Sequence, residues 1–202
     1  MQKVIKIYPV GFAANTYLLT QDSKTAVAID PAQPRIIEEA KRRGLEVSYV
    51  LLTHGHFDHI AGCAALQKAG AKVGCLAKER ELVLGKGNCA KLFGERVPPF
   101  DIDFTFHDGE ELLLLGMKFK VIATPGHTAG GACYLTESGL FTGDTLFEGS
   151  VGRCDLPTGN GAELERSVKK LYALAGDIAV YAGHGEDTTL AYERLYNGVI
   201  RS

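Results

Sequence analysis

Residues 53–62, THGHFDHIAG, place three histidines and an aspartate within six positions. Neutral imidazole and carboxylate are the side chains that suit zinc and neighbouring transition metals. Three more candidates lie far along the chain: His127 in TPGHTAGG, Asp144 in FTGDTLF and His184 in YAGHGEDT. With His54, His56, Asp58 and His59 they make seven possible donors, more than the four that one tetrahedral ion takes. The count argues for two ions sharing a ligand. Any one of these histidines alone would pass for a satisfied polar group or a surface residue; the tight cluster with its distant partners points to metal. His107, in FHDGE, fits no such pattern and is expected at the solvent. The sequence has no G-x-S-x-G segment or cysteine–histidine motif that would supply a side-chain nucleophile.

The donors need elements to aim them. Short β-branched or alternating runs, KVIKIYPV, NTYLLT, TAVAID and VSYVLLT, read as strands bounded by Gly, Asp or Pro. His54 and His56 follow the last of these, two apart in extended chain, so their rings should share a side. His127, Asp144 and His184 each follow a strand-like run and a glycine, where a side chain can leave a sheet edge. Helices are expected at QPRIIEEAKRRG, at HIAGCAALQKAG closed by Gly70, at AKERELVL, from about Ala162 to Leu174, and at DTTLAYERLY. Asn160 and Glu163 suit a capping box, and LLLLGMKFKV suits a hairpin around Gly116. The segment at 86–101 is irregular, rich in Gly and Pro, and reads as a surface insertion. Strands then helices, twice over, fit two stacked sheets with helices on their outer faces.

THGHFDH, TPGHTAGG, FTGDTLF and YAGHGEDT resemble the successive metal motifs of the metallo-β-lactamase superfamily, and AIDPA fits the same pattern. The segment GDTLFEGSVGRCDLPTG is most similar to the glyoxalase II-like, or hydroxyacylglutathione hydrolase, group. The resemblance implies an α/β (α+β) fold: one domain over residues 1–202, a four-layer αββα sandwich of two mixed sheets flanked by helices. It implies that one divalent ion takes His54, His56 and His127, that a second takes Asp58, His59 and His184, and that Asp144 bridges them. Zinc is the first expectation, and all-nitrogen-and-oxygen ligation also admits iron or manganese. A cysteine at 144 would have suggested zinc β-lactamases, and a glutamate at 56 the di-iron oxygen reductases.

The implied reaction is hydrolysis of a small-molecule thioester, S-lactoylglutathione or a related acyl-thioester. A hydroxide shared between the ions attacks the carbonyl, Asp58 orients it, and the thiolate leaves with little acid assistance. Asp58 and Asp144 are thus the expected catalytic carboxylates. Arg153 stands where such enzymes place a basic residue near substrate, and a loop-anchoring salt bridge is its competing role. The family's added C-terminal helical domain and the tyrosine after its last histidine ligand have no counterpart here, which sets glutathione recognition apart from the hydrolytic chemistry. A mononuclear iron persulfide dioxygenase of the same fold is the alternative.

A hydrophobic share of 46% and a net charge of −2 are those of a globular protein with no basic footprint for nucleic acid and no apolar run long enough for a membrane span. Five scattered cysteines without a C-x-x-C pair suggest reduced, buried thiols and a cytoplasmic setting. Oligomeric state leaves no mark on the sequence.

Overall fold

A computed structural model describes residues 2–201. The first sheet has the order β1 (Lys3–Ile7), β2 (Thr16–Thr20), β3 (Thr25–Ile29), β4 (Glu46–Leu52), β5 (Lys72–Leu76), β6 (Phe104–Phe106). Its first three strands are antiparallel and the remainder parallel, with α1 (Ile36–Arg42), α2 (Phe57–Ile60), α3 (Cys63–Lys68) and α4 (Arg80–Leu84) in the crossovers. The second sheet is formed by β7 (Glu111–Leu114), β8 (Met117–Ala123), β9 (Ala132–Thr136), β10 (Gly139–Gly143), β13 (Ala179–Ala182) and β14 (Thr188–Thr189). A small ribbon pairs β11 (Leu146–Phe147) with β12 (Ser150–Val151), and α5 (Gly161–Tyr172) and α6 (Leu190–Tyr196) complete the set.

The period of two along the strands sorts side chains into layers. On β4, Val50 and Leu52 pack under the helices, while Leu51 faces the other sheet. On β8, Met117, Phe119 and Val121 enter the space between the sheets, and Lys118 and Lys120 stay exposed. A third cluster joins Ile122, Cys133, Leu140 and Val180 to Leu164, Val168 and Leu171 of α5. These three apolar interfaces make the expected mixed four-layer sandwich. Each fully buried Leu or Phe contributes roughly 1.5–3 kcal/mol to holding the layers.

The expected hairpin is present, β7 and β8 being joined through Leu115 and Gly116. The helix expected over 59–70 is broken instead into α2 and α3. Gly62 donates its N–H to the Pro31 carbonyl at 2.7 Å, and a Cβ there would lie 2.5 Å from the Gln33 oxygen. This close crossing of two loops overrides helical periodicity. Thr188 and Thr189 likewise join β13 as a strand, so the last helix begins at Leu190. Asn160 caps α5 by accepting from Glu163 N–H, but the reciprocal half of the box is absent because Asn160 N–H donates to Gly126 O at 2.7 Å. That bond ties α5 to the residue before His127. Residues 86–101 form short 3-10 turns at Lys86–Asn88 and Ala90–Phe93 and otherwise irregular chain. No helix among the described residues is long and apolar enough to cross a membrane.

Candidate metal centre

All seven predicted donors meet at one end of the sandwich, where strands of both sheets terminate. His54 and His56 follow β4 directly, and Asp58 and His59 sit in the first turn of α2. His127, Asp144 and His184 come from the loops after β8, β10 and β13. A register shift in β10 between Phe141 and Gly143 lets the strand end turn Asp144 inward. Gly143 has φ +49°, and a Cβ on it would lie 2.2 Å from Thr53 Oγ1. Gly183 lets β13 approach: a methyl there would meet Asp144 Oδ1 at 2.4 Å and His59 Cε1 at 2.8 Å. His107 is exposed, as expected, and belongs to none of the donor groups.

Two trios have ligand atoms close enough to hold an ion, His54–His56–His127 and Asp58–His59–His184. His56 Nδ1 lies 2.8 Å from His127 Nε2, and His184 Nε2 lies 3.2 Å from Asp58 Oδ2. Asp144 stands between the trios. Its Oδ1 is 3.2 Å from His59 Nε2, and its Oδ2 is 3.5 Å from His127 Nε2 and 3.6 Å from His184 Nε2. A third grouping, Asp30–His54–His59, is an arrangement of hydrogen bonds around Asp30.

Those hydrogen bonds decide which ring nitrogens are free. Asp30 Oδ1 accepts from Thr53 N–H at 2.8 Å, while Oδ2 accepts from Thr53 Oγ1 at 2.6 Å and from His59 Nδ1 at 2.9 Å. Thr53 Oγ1, its proton committed to Asp30, can only accept from His54 Nδ1, 3.1 Å away. His127 Nδ1 donates to the Arg153 carbonyl at 2.7 Å. Each of these three rings therefore turns its Nε2 toward another partner.

The buried atoms left over test the fit of a cation. Of six buried side-chain atoms that complete no hydrogen bond among the described residues, four lie on the predicted donors: His54 Nε2, His56 Nε2, and His59 Nε2 and Asp144 Oδ1, which contact each other at 3.2 Å. A buried orphan costs roughly 1–3 kcal/mol, and these concentrate where nitrogen and carboxylate donors converge. The donor set fits divalent transition-metal ions. Electrostatics agree: burial, reinforced by neighbouring imidazoles, holds His54 well below the usual histidine range and His56 at about 4, so both rings are neutral donors. Burial opposes charge on His59 and Asp144 as well. For His59 the carboxylates of Asp144, Asp30 and Asp58 outweigh it and raise the imidazole, favouring without an ion a proton on Nε2 toward Asp144 that a cation would displace; for Asp144 the surrounding histidines outweigh it and lower the carboxyl.

Further residues act on the site without pointing into it. Glu79, 1% exposed, accepts from Gly55 N–H at 2.9 Å and Gly130 N–H at 2.8 Å, clamping the two loops that carry His54, His56 and His127. Burial pushes its carboxyl up to about 7. Asn15 fastens the His184 loop through Nδ2 to the Ala182 and Gly185 carbonyls. In the sequence, Asp30 stands out as an acid ending an apolar run; Glu79 has no such signal inside the charged stretch AKEREL. Arg153 lines the cavity above the donors, and its guanidinium forms a two-bond pair with Asp155 at 2.6 and 2.7 Å. The salt bridge is formed at a position that also borders the cavity. Cys154 is half-buried and packs beside the α5 core, and the other four cysteines are buried.

Residues 9–184 match the Metallo-beta-lactamase superfamily. The chain is 36% identical to hydroxyacylglutathione hydrolase GloC of Haemophilus influenzae, over 98% of each chain. Among solved structures, BLEG-1 B3 metallo-beta-lactamase is similar with a TM-score of 0.90 and 32% identity over 100% of both chains. TTHA1623 in a di-iron-bound form gives 0.83 and 32% identity over 96% of this chain and 98% of that one. Profile, full-length relative and fold agree with the motifs: the chain belongs to the metallo-β-lactamase superfamily.

Proposed function

We propose that this protein is a binuclear metal-dependent hydrolase of the glyoxalase II-like type, cleaving a thioester. The observation that carries the reading is the position of Asp144, whose carboxylate stands between the two trios beneath an open cavity, Oδ1 3.2 Å from His59 Nε2 and Oδ2 3.5 Å from His127 Nε2. His54, His56 and His127 would hold one divalent ion and Asp58, His59 and His184 the other, with Asp144 shared. Such a pair supplies a water nucleophile at neutral pH and polarises the carbonyl under attack. Asp58 borders the cavity, where its carboxylate can accept a proton from the attacking water and orient it. Asp30 and Thr53 hold His54 and His59 in the ligating tautomer. The departing thiolate, with an ordinary pKa of about 8.5, leaves without a dedicated acid. Zinc and iron are both compatible with this ligation, and a di-iron relative supports testing both.

The test joins metal analysis of the purified protein to turnover of S-lactoylglutathione, simpler thioesters, a lactone, a β-lactam and a persulfide. The β-lactam belongs in the panel because of the full-length likeness to BLEG-1. Two ions per chain with thioester turnover is the expected result. One iron with oxygen uptake on the persulfide, or turnover of the β-lactam alone, would overturn the proposal.

A further inference from the structure

The cavity over the donors has a volume of about 530 Å³. Its floor is His56, Asp58, His127, Asp144 and His184. Its walls hold Phe12, Phe57, Phe93 and Phe147 with Leu156. The chain has nine phenylalanines. Phe100, Phe104, Phe106, Phe119 and Phe141 belong to the apolar cores. The remaining four belong to no core cluster, and all four line this cavity. Phe12 is 80% exposed and Phe93 47%, the latter ring 5.3 Å from Phe57. Large apolar rings grouped in the open mark a binding surface, and residues 86–101 contribute Phe93 and Cys89 to it.

The thioester carbonyl would be drawn to the ions proposed for the floor, whereas the walls offer a distal carboxylate little positive charge. Arg153 is the one cation among its lining residues, and both of its directed N–H bonds go to Asp155. Asp58 and Asp144 are committed to the donor cluster. At these walls a thiol's distal carboxylates would meet phenyl rings and an arginine already paired with Asp155.

We propose that the four phenylalanines select thioesters presenting an alkyl or aryl group and no carboxylate, and that glutathione-type thiols are disfavoured. This rests on the thioester-hydrolase reading, so its test uses binding as well as turnover. Calorimetry on the metal-loaded protein would compare three stable thioethers: S-hexyl-N-acetylcysteamine, S-methyl-N-acetylcysteamine and S-hexylglutathione. The hexyl ligand should bind at least about tenfold more tightly than the methyl one, and S-hexylglutathione no more tightly than the neutral hexyl compound. Phe12→Ala and Phe93→Ala, at exposed rings outside the cores, should each erode the hexyl preference by about threefold or more. Equal binding of hexyl and methyl ligands, or clearly tighter binding of S-hexylglutathione, would overturn the proposal. Turnover of S-hexanoyl-N-acetylcysteamine is read separately: intact binding preference without hydrolysis would refute the hydrolase reading and leave the selectivity standing.

Discussion

Asp30→Asn tests the claim that one buried carboxylate sets the tautomers of two ligating histidines. Asp30 has φ +48°, a conformation that asparagine tolerates almost as well, so the substitution adds little backbone strain. Its chemistry changes sharply: an amide has one acceptor oxygen where the carboxylate has two. Three donors need those oxygens, Thr53 N–H, Thr53 Oγ1 and His59 Nδ1. If the amide oxygen stays on Thr53 N–H, its NH2 faces both Thr53 Oγ1 and His59 Nδ1. Both links then reverse. His59 must accept at Nδ1 and carry its proton on Nε2, and Thr53 becomes free to donate to His54, moving that proton to Nε2 too. Ligation through both Nε2 atoms is lost, for about 10–100-fold in metal affinity at each ion, the usual size of outer-shell effects. If the amide flips, the tautomers survive but Thr53 N–H is orphaned at roughly 1–3 kcal/mol. Urea unfolding of the metal-free variant, paired with competitive metal titration, separates these outcomes. Unchanged unfolding together with unchanged affinity at both ions would refute the relay.

Glu79→Gln should flatten the pH dependence of stability. The folded value of about 7 exceeds the ordinary 4.5, so between these pH values the folded state keeps a proton that the unfolded chain releases. The wild type therefore loses about 3 kcal/mol as pH rises from 4.5 through 7, and the variant, having no proton to release, should not; identical pH profiles in metal-free melts would show the reasoning wrong. Gly183→Ala puts a methyl 2.4 Å from Asp144 Oδ1. It should weaken metal binding and turnover at a folding cost of about 1–3 kcal/mol, and full activity would contradict the close approach. Asp144→Ala should leave a chain that retains at most one ion and should lose turnover by more than about 100-fold, as measured by metal stoichiometry and steady-state rates.

The sequence by itself showed which side chains could serve as donors and most of the local elements beneath them. Ligand identity is written in residue type, and short spacings such as His54–His56 are translated directly by extended geometry. The alternation of MKFKV likewise shows which side of β8 is apolar. What it could not determine are relations between residues distant in the chain. Asp30 and His59, or Glu79 and Gly130, meet only because β3, β4 and α4 are stacked beside the β8–β9 loop. The break at Gly62 has the same origin, since helical periodicity cannot register a carbonyl arriving from Pro31. The pairing of Arg153 with Asp155 at the cavity depends on the path of one loop. The division of the phenylalanines is the clearest case. Phe12 and Phe119 are identical in composition and differ only in where the chain places them, one at an open mouth and one between two sheets. Residue chemistry is a local property; burial and partnership follow from the packing of layers, and in this protein they decide which side chains line the candidate site.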